Sequence, residues 1–166
     1  MTELNHLPLL NKISIITGSG RGIGAATALR LARAGSNNVV NDLNQEDAQK
    51  VAAEIEKLGR KSWVSSHDIS HYPSAQELVS EVKKRFNRVD ILVNNAATVP
   101  SRRTLTADGI EVQFAVNHLS YYLLSRLLLE TLKANAPSRI VNVSSQAHHS
   151  GRFDPNDPQG ARRPYG

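Results

Sequence analysis

A chain of 166 residues can bury a sizeable core as one domain, and 40% hydrophobic with 21% charged residues is ordinary for a globular protein. The absence of cysteine excludes disulfides and thiolate metal sites and fits the cytoplasm. No apolar run reaches the roughly 20 residues that span a bilayer, since the longest, 119–132, is broken by Ser120, Ser125, Arg126 and Glu130.

A net charge of +5 and a pI near 9.7 invite an anionic partner. The basic residues are scattered among acids, apart from the pairs Arg102-Arg103 and Arg162-Arg163, so nucleic acid is not an expected partner. Residues 1–11 lack a basic start followed by an apolar core, and no signal peptide is expected there.

In chain order, Lys12 to Thr17 reads as a buried strand and Gly22 to Ala34 as a helix, with Ile23, Leu29 and Leu31 available for packing. Gly35 stands where a helix C-terminal glycine belongs. Val39 and Val40 open a second strand that ends near Asp42. Asn44 then caps a helix in which Ala48, Val51, Ala52, Ile55 and Leu58 recur at helical spacing, and Gly59 ends it. Trp63 and Val64 form a third strand leading to His67 and Asp68. Ser74 with Glu77 three residues on reads as a capping box for a helix carrying Ala75, Leu78, Val79, Val82 and Phe86.

Asp90 to Val93 is a fourth strand and Arg139 to Val143 a fifth, buried one. Between them lies a long helix, about Glu111 to Asn135, so apolar that one side is expected to meet a second subunit or another part of the fold. The alternation predicts an α/β fold, a doubly wound parallel sheet of the Rossmann type over residues 1–150. Residues 151–166 lose all periodicity and read as a loop or tail. A chain ending in a loop after a buried strand reads as a sheet incomplete on its C-terminal side. An open apolar edge there predicts poor solubility.

The chemistry gathers at the turn after the first strand, Thr17-Gly18-Ser19-Gly20-Arg21-Gly22-Ile23-Gly24. Glycine permits a tight turn and lets backbone N–H groups approach a pyrophosphate that a side chain would push away. The helix that follows offers free N–H groups and the positive end of its dipole to the same anion. Asp42 follows Gly24 at close to the roughly 20 residues that separate such a turn from its ribose-binding acid.

The spacing Thr-Gly-three residues-Gly-X-Gly resembles the short-chain dehydrogenase/reductase family. Asn94-Asn95-Ala96-Ala97 is similar to the family's Asn-Asn-Ala-Gly, with Ala97 in place of Gly. Asn117 matches the family's helix asparagine, and Val141-Asn142-Val143-Ser144-Ser145 its serine strand. The resemblance implies an oxidoreductase that interconverts an alcohol and a carbonyl with NAD(P). It places the turn residues 17–24, Asp42, Asp68 with Ile69, and Asn95 with Ala96 around the cofactor. Asn95 and Ala96 would lie near the ribose on the nicotinamide side.

Asp42 can accept hydrogen bonds from both ribose hydroxyls of NAD and would repel the 2′-phosphate of NADP. Arg21 argues the other way, so NAD is the favoured cofactor and NADP the less favoured. Asp42 and Asp68 have a plainer alternative as turn caps, and the two asparagines one as ties between strands. Ser145 is chosen over Ser144 as catalytic because residues alternate faces along a strand. Asn117 would support a water relay, or else serve as a structural amide.

His148-His149 is not read as a metal site, since adjacent residues rarely point at one ion and no acid or cysteine surrounds them. Tyr121-Tyr122 reads as packing. The family's general acid/base, a Tyr followed four positions later by a Lys, occurs nowhere in these residues. Tyr165, the one tyrosine after Ser145, sits in a Pro/Arg-rich loop and is expected to precede the true acid/base. Turnover by this chain alone is therefore not expected, and a catalytically inactive dinucleotide-binding module is the alternative reading.

Within the family, the stretch Asn117 to Leu132 with Ser144 to Gly151 resembles the retinol-dehydrogenase-like members, which implies a hydrophobic alcohol or carbonyl substrate. Val40 to Asn44 instead resembles bacterial NAD-dependent members. Full-length relatives form dimers or tetramers, which implies a homo-oligomer.

Overall fold

Five parallel strands build one sheet in the computed structural model, which describes residues 7–149, 154–162 and 165. They are β1 (Ile13–Thr17), β2 (Asn37–Asn41), β3 (Ser62–Ser65), β4 (Ile91–Asn94) and β5 (Arg139–Asn142), in the order β3-β2-β1-β4-β5. Helices α1 (Gly22–Arg33), α2 (Gln45–Lys57) and α3 (Tyr72–Phe86) follow the first three strands. A composite helix separates β4 from β5. It opens with the single turn α4 (Val112–Phe114), widens to a π-helical segment (Ala115–Leu119) and continues as α5 (Ser120–Ala134).

The apolar runs in the strands have a simple cause: neighbouring residues bury into opposite faces. Ile15, Val39 and Leu92 pack with α3 and α5, against Leu78, Val82, Leu124 and Leu128. Ile16, Val40 and Val93 pack with α1 and α2, against Ala28, Ala48 and Ile55. Register aligns these triplets, with Ile15 beside Val39 and Leu92, and Ile16 beside Val40 and Val93. The doubly wound parallel sheet is thus as expected, with its order reversing between β1 and β4.

At the N-terminal end of the strands, Asp90 is almost wholly buried. It accepts from Ile13 N at 2.9 Å, from Arg88 Nε and Nη2 at 2.9 and 2.7 Å, and from Lys12 Nζ at 2.9 Å. Burial pushes its carboxyl up, but the Arg88 guanidinium, the Ile13 amide and the Lys12 ammonium together hold it below its ordinary value.

Local punctuation follows the sequence in most places. Asn44 caps α2 by accepting from Asp47 N at 3.1 Å, and Gly35 and Gly59 take positive φ of 106° and 72°. Several expectations need correction. Ser74 and Glu77 do not form a capping box: α3 begins earlier, at Tyr72, with Pro73 in its first turn and no side-chain cap. Ile23 does not join the core and is 68% exposed, because it faces outward from the glycine turn.

β2 starts at Asn37 rather than Val39. The buried Asn38 is tolerated there because its Nδ2 donates to the Ala28 carbonyl at 2.8 Å. β5 is not a buried strand. All four of its residues are exposed, since it is the sheet's edge and no strand pairs with its outer side among the described residues.

The expected single helix from Glu111 is interrupted by its π segment. Ser120 N reaches back to the Ala115 carbonyl rather than to Val116, whose carbonyl accepts from Ser120 Oγ at 2.6 Å. The apolar stripe of α5 is covered by the fold itself, while Tyr122 stays 66% exposed. After β5 comes one short 3-10 helix (Gln146–His149), and the described residues beyond it form turns. Asp157 accepts from Ala161 N and Arg162 N at 2.8 and 3.0 Å, closing a turn that hands Gln159 to the Glu111 amide at 2.8 Å. Among the described residues no helix is long and apolar enough to cross a membrane.

Candidate functional site

A cleft of about 500 Å³ opens at the C-terminal ends of β1 to β4, beside the point where strand order reverses. Gly18 and Arg21 form its floor after β1, Asn41 to Asn44 follow β2, His67 to Ser70 follow β3, and Asn95 to Thr98 follow β4. Val112 and Val116 close one side.

The glycine turn is held close to its surroundings, and side chains there would not fit. Gly18 has φ 61°, and a Cβ on it would lie 2.8 Å from the Ala96 Cα. A Cβ on Gly20 would lie 2.9 Å from the Asp42 carboxylate, and one on Gly24 would collide with the Gly18 carbonyl. Arg21, immediately before α1, makes no side-chain cap, so no side chain of that residue occupies the N–H groups of the helix's first turn. Gly22 faces open space. A tight backbone, free helix N–H groups and a cleft above them fit a diphosphate.

Thr17 and Ser19 act behind this surface. Thr17 Oγ1 accepts from Asn95 N and Ala96 N at 3.0 Å each, which ties the loop after β4 to the glycine turn. Ser19 is buried and donates inward to the Ile16 carbonyl at 2.7 Å, so its hydroxyl faces away from the cleft. Asp42 stands at the cleft edge. Its Oδ2 accepts from Gly20 N at 2.8 Å and its Oδ1 from Asn44 N at 3.0 Å. It caps a turn and also presents a carboxylate to the cleft.

Asp68 is likewise a turn cap, accepting from Ser70 N at 2.8 Å and Ser70 Oγ at 2.6 Å, while lining the cleft beside the buried Ile69. Both asparagines of the Asn-Asn pair tie neighbouring segments together, Asn94 through a side chain and Asn95 through backbone. Asn94 Nδ2 donates to Asn142 Oδ1 at 2.8 Å, and Asn95 Nδ2 donates to the carbonyls of Thr17 and Gly18 at 2.9 and 3.0 Å.

Asn117 and Ser145 do not line the cleft. The Asn117 amide is spent on one residue: its Oδ1 accepts from Thr98 N and its Nδ2 donates to the Thr98 carbonyl, both at 2.8 Å. Ser145 is exposed, and its Oγ accepts from Ala147 N at 3.2 Å. The strand-alternation argument for Ser145 over Ser144 does not apply, because β5 ends at Asn142 and both serines lie in the following loop. The His148 and His149 rings lie 4.0 Å apart, and the described residues contain no group of three ligating side chains.

Tyr165 donates to Glu111 Oε1 at 2.8 Å and accepts from Gln113 Nε2 at 2.9 Å. Burial and the Glu111 carboxylate raise its phenol above the ordinary value, against the Gln113 bond. That is opposite to the shift a general base working near neutral pH requires. Residues that sequence reasoning did not single out for the site, notably His67, Thr98 and Val116, line the cleft because the chain bends beside each motif. Their only signal was adjacency.

The short-chain dehydrogenase family model matches residues 12–154 of this chain. Human retinol dehydrogenase 13 is 41% identical over 156 residues, covering 93% of this chain and 47% of that protein. A metagenomic short-chain oxidoreductase solved in complex with NADP aligns with a TM-score of 0.75 at 30% identity, over 82% of this chain and 63% of the other. A 7α-hydroxysteroid dehydrogenase solved with NADH and 7-oxo glycochenodeoxycholic acid aligns with a TM-score of 0.77 at 28% identity, over 97% and 64%. The chain spans about half the length of the curated relatives it matches. It belongs to the short-chain dehydrogenase family, whose members are oxidoreductases that use NAD(P).

Proposed function

We propose that this short-chain dehydrogenase chain binds NAD in preference to NADP and forms the nucleotide side of an enzyme that interconverts a hydrophobic alcohol and its carbonyl. One observation carries the reading: the Asp42 carboxylate closes the same cleft whose floor is the glycine turn. A bound nicotinamide would supply or accept the hydride. The first-turn N–H groups of α1 would hold the diphosphate, and Asp42 the adjoining ribose. Asn95 and Ala96 would form the wall along the sugars, with Asp68 and Ile69 flanking the adenine.

Ser145 would hold the substrate oxygen. A hydrophobic substrate is supported by relatives named as retinol dehydrogenases, by the oxo-steroid in a similar structure, and by Val99, which is 82% exposed next to the cleft residue Thr98.

A second reading, a binding module without turnover, is favoured by the placing of Asn117 and Ser145, neither of which lines the cleft. Calorimetric titration of the chain with NAD and with NADP tests the first claim, and no heat with either at millimolar concentration would overturn it. Production of NADH from NAD and secondary alcohols at an enzymatic rate would remove the second reading.

A further inference from the structure

We propose that Tyr121 is a positioning residue for the cofactor cleft: with Asn117 it clamps the 96–98 segment into the wall a dinucleotide meets. The proposal rests on the reading of the cleft as a dinucleotide site. The segment that leaves β4 is irregular, so it has no ladder or helix to fix it, and it is held by side chains from two directions. From the sheet side, Thr17 Oγ1 takes the Asn95 and Ala96 amides at 3.0 Å each.

From the helix side, the Tyr121 hydroxyl donates to the Ala96 carbonyl at 3.2 Å, and the Asn117 amide grips both backbone groups of Thr98 at 2.8 Å. Ala96 is therefore held at its N–H by Thr17 and at its carbonyl by Tyr121.

The register of the helix is what brings Tyr121 there. The π segment spans Asn117, and Ser120, the residue before Tyr121, is the one that bonds back to Ala115. Ser120 Oγ donates to the Val116 carbonyl, which the Ser120 N–H does not reach in this register. The result sets Asn117 and Tyr121 against one loop, while Tyr122 faces outward at 66% exposure. Burial pushes the Tyr121 phenol above its ordinary value, so it stays protonated and a donor throughout the neutral range.

The test compares Tyr121→Phe, which removes only the hydroxyl, with Tyr122→Phe as the control. Each chain is titrated with NADH by nicotinamide fluorescence, well below its unfolding midpoint and with the fold verified by circular dichroism. Loss of one hydrogen bond that sets the wall is expected to weaken NADH binding about fivefold in Tyr121→Phe and to leave Tyr122→Phe unchanged. Amide hydrogen exchange at residues 96–98 of the ligand-free chain is expected to speed up in Tyr121→Phe alone.

Equal NADH affinity in wild type and Tyr121→Phe overturns the proposal and leaves the cleft assignment standing, as does unchanged exchange at the loop. Failure of the wild-type chain to bind NADH removes the cleft assignment and this proposal with it.

Discussion

Replacing Asp42 by Asn tests how the cleft chooses its nucleotide. The carboxylate accepts two backbone donors, Gly20 N at 2.8 Å and Asn44 N at 3.0 Å, and an amide has only one acceptor oxygen. The Gly20 bond can survive; the Asn44 bond is lost at an exposed position where water replaces it, so the fold should lose only about 1 kcal/mol. The larger effect is on ligand. A ribose hydroxyl bonded to a carboxylate contributes about 1.5–3 kcal/mol, roughly half of which a neutral amide retains. NAD should therefore bind about four- to twelvefold more weakly.

NADP moves the opposite way. Its 2′-phosphate at contact distance from a carboxylate is repelled by about 1–4 kcal/mol, between the limits set by bulk water and a protein surface. The half-buried position of Asp42 argues for the lower half of that range. The NAD-to-NADP affinity ratio should thus fall by about two orders of magnitude. Calorimetric titration of wild type and Asp42→Asn with both nucleotides at low salt measures it, and added salt should shrink the effect by screening. An unchanged ratio would refute Asp42 as the selector, and would shift attention to Arg21 at the cleft floor.

Gly18→Ala should abolish measurable nucleotide binding and lower stability by about 1–3 kcal/mol, because φ 61° is strained for Ala and its Cβ would press on the Ala96 backbone; retained binding with an unchanged melting midpoint would contradict this. Asp90→Asn should cost about 2 kcal/mol and lower the midpoint by about 4–8 °C, read by calorimetric scanning. The same carboxyl sets an acid limb. Its folded pKa is depressed, so its stabilisation is fully present above the ordinary carboxylate value and is lost as pH falls through the folded value, and Asp90→Asn should flatten that limb in a midpoint-against-pH series. Ile140 and Val141 are 41% and 46% exposed on the edge strand, so the pair of changes to Lys should raise solubility, read as the soluble fraction after concentration, with little effect on the midpoint.

Where sequence and structure agree, the agreement rests on periodicity and on backbone chemistry. The pairs Ile15/Ile16, Val39/Val40 and Leu92/Val93 read as buried strands because each pair feeds both faces of the sheet. Glycine positions were legible because a turn this tight admits little else. What escaped reading depended on tertiary partners. Asn37 and Asn38 fell outside the strand read from Val39 and Val40, and it is a tertiary partner, the Ala28 carbonyl, that takes the Asn38 amide N–H inside the fold. The π segment has no local signature, since it is set by Asn117 and Ser120 finding backbone partners. β5 read as buried because Ile140, Val141 and Val143 are apolar, yet what covers a strand is a property of its neighbours.

The same distinction explains why the family motifs proved easier to find than to assign. Thr17, Asn94, Asn95 and Asn117 each bond to this chain's own backbone or to another asparagine, and Asp42 and Asp68 each cap a turn. A motif residue that shapes a loop and one that touches a ligand leave the same trace in a sequence. In this cleft the two roles are linked: a wall already fixed by Thr17, Asn117 and Tyr121 has little conformational freedom left to lose when a nucleotide arrives. The affinity cost of loosening it appears at binding as well as at folding. That is why removing one hydroxyl at position 121, remote from any expected reacting atom, should be read first in the dissociation constant of NADH.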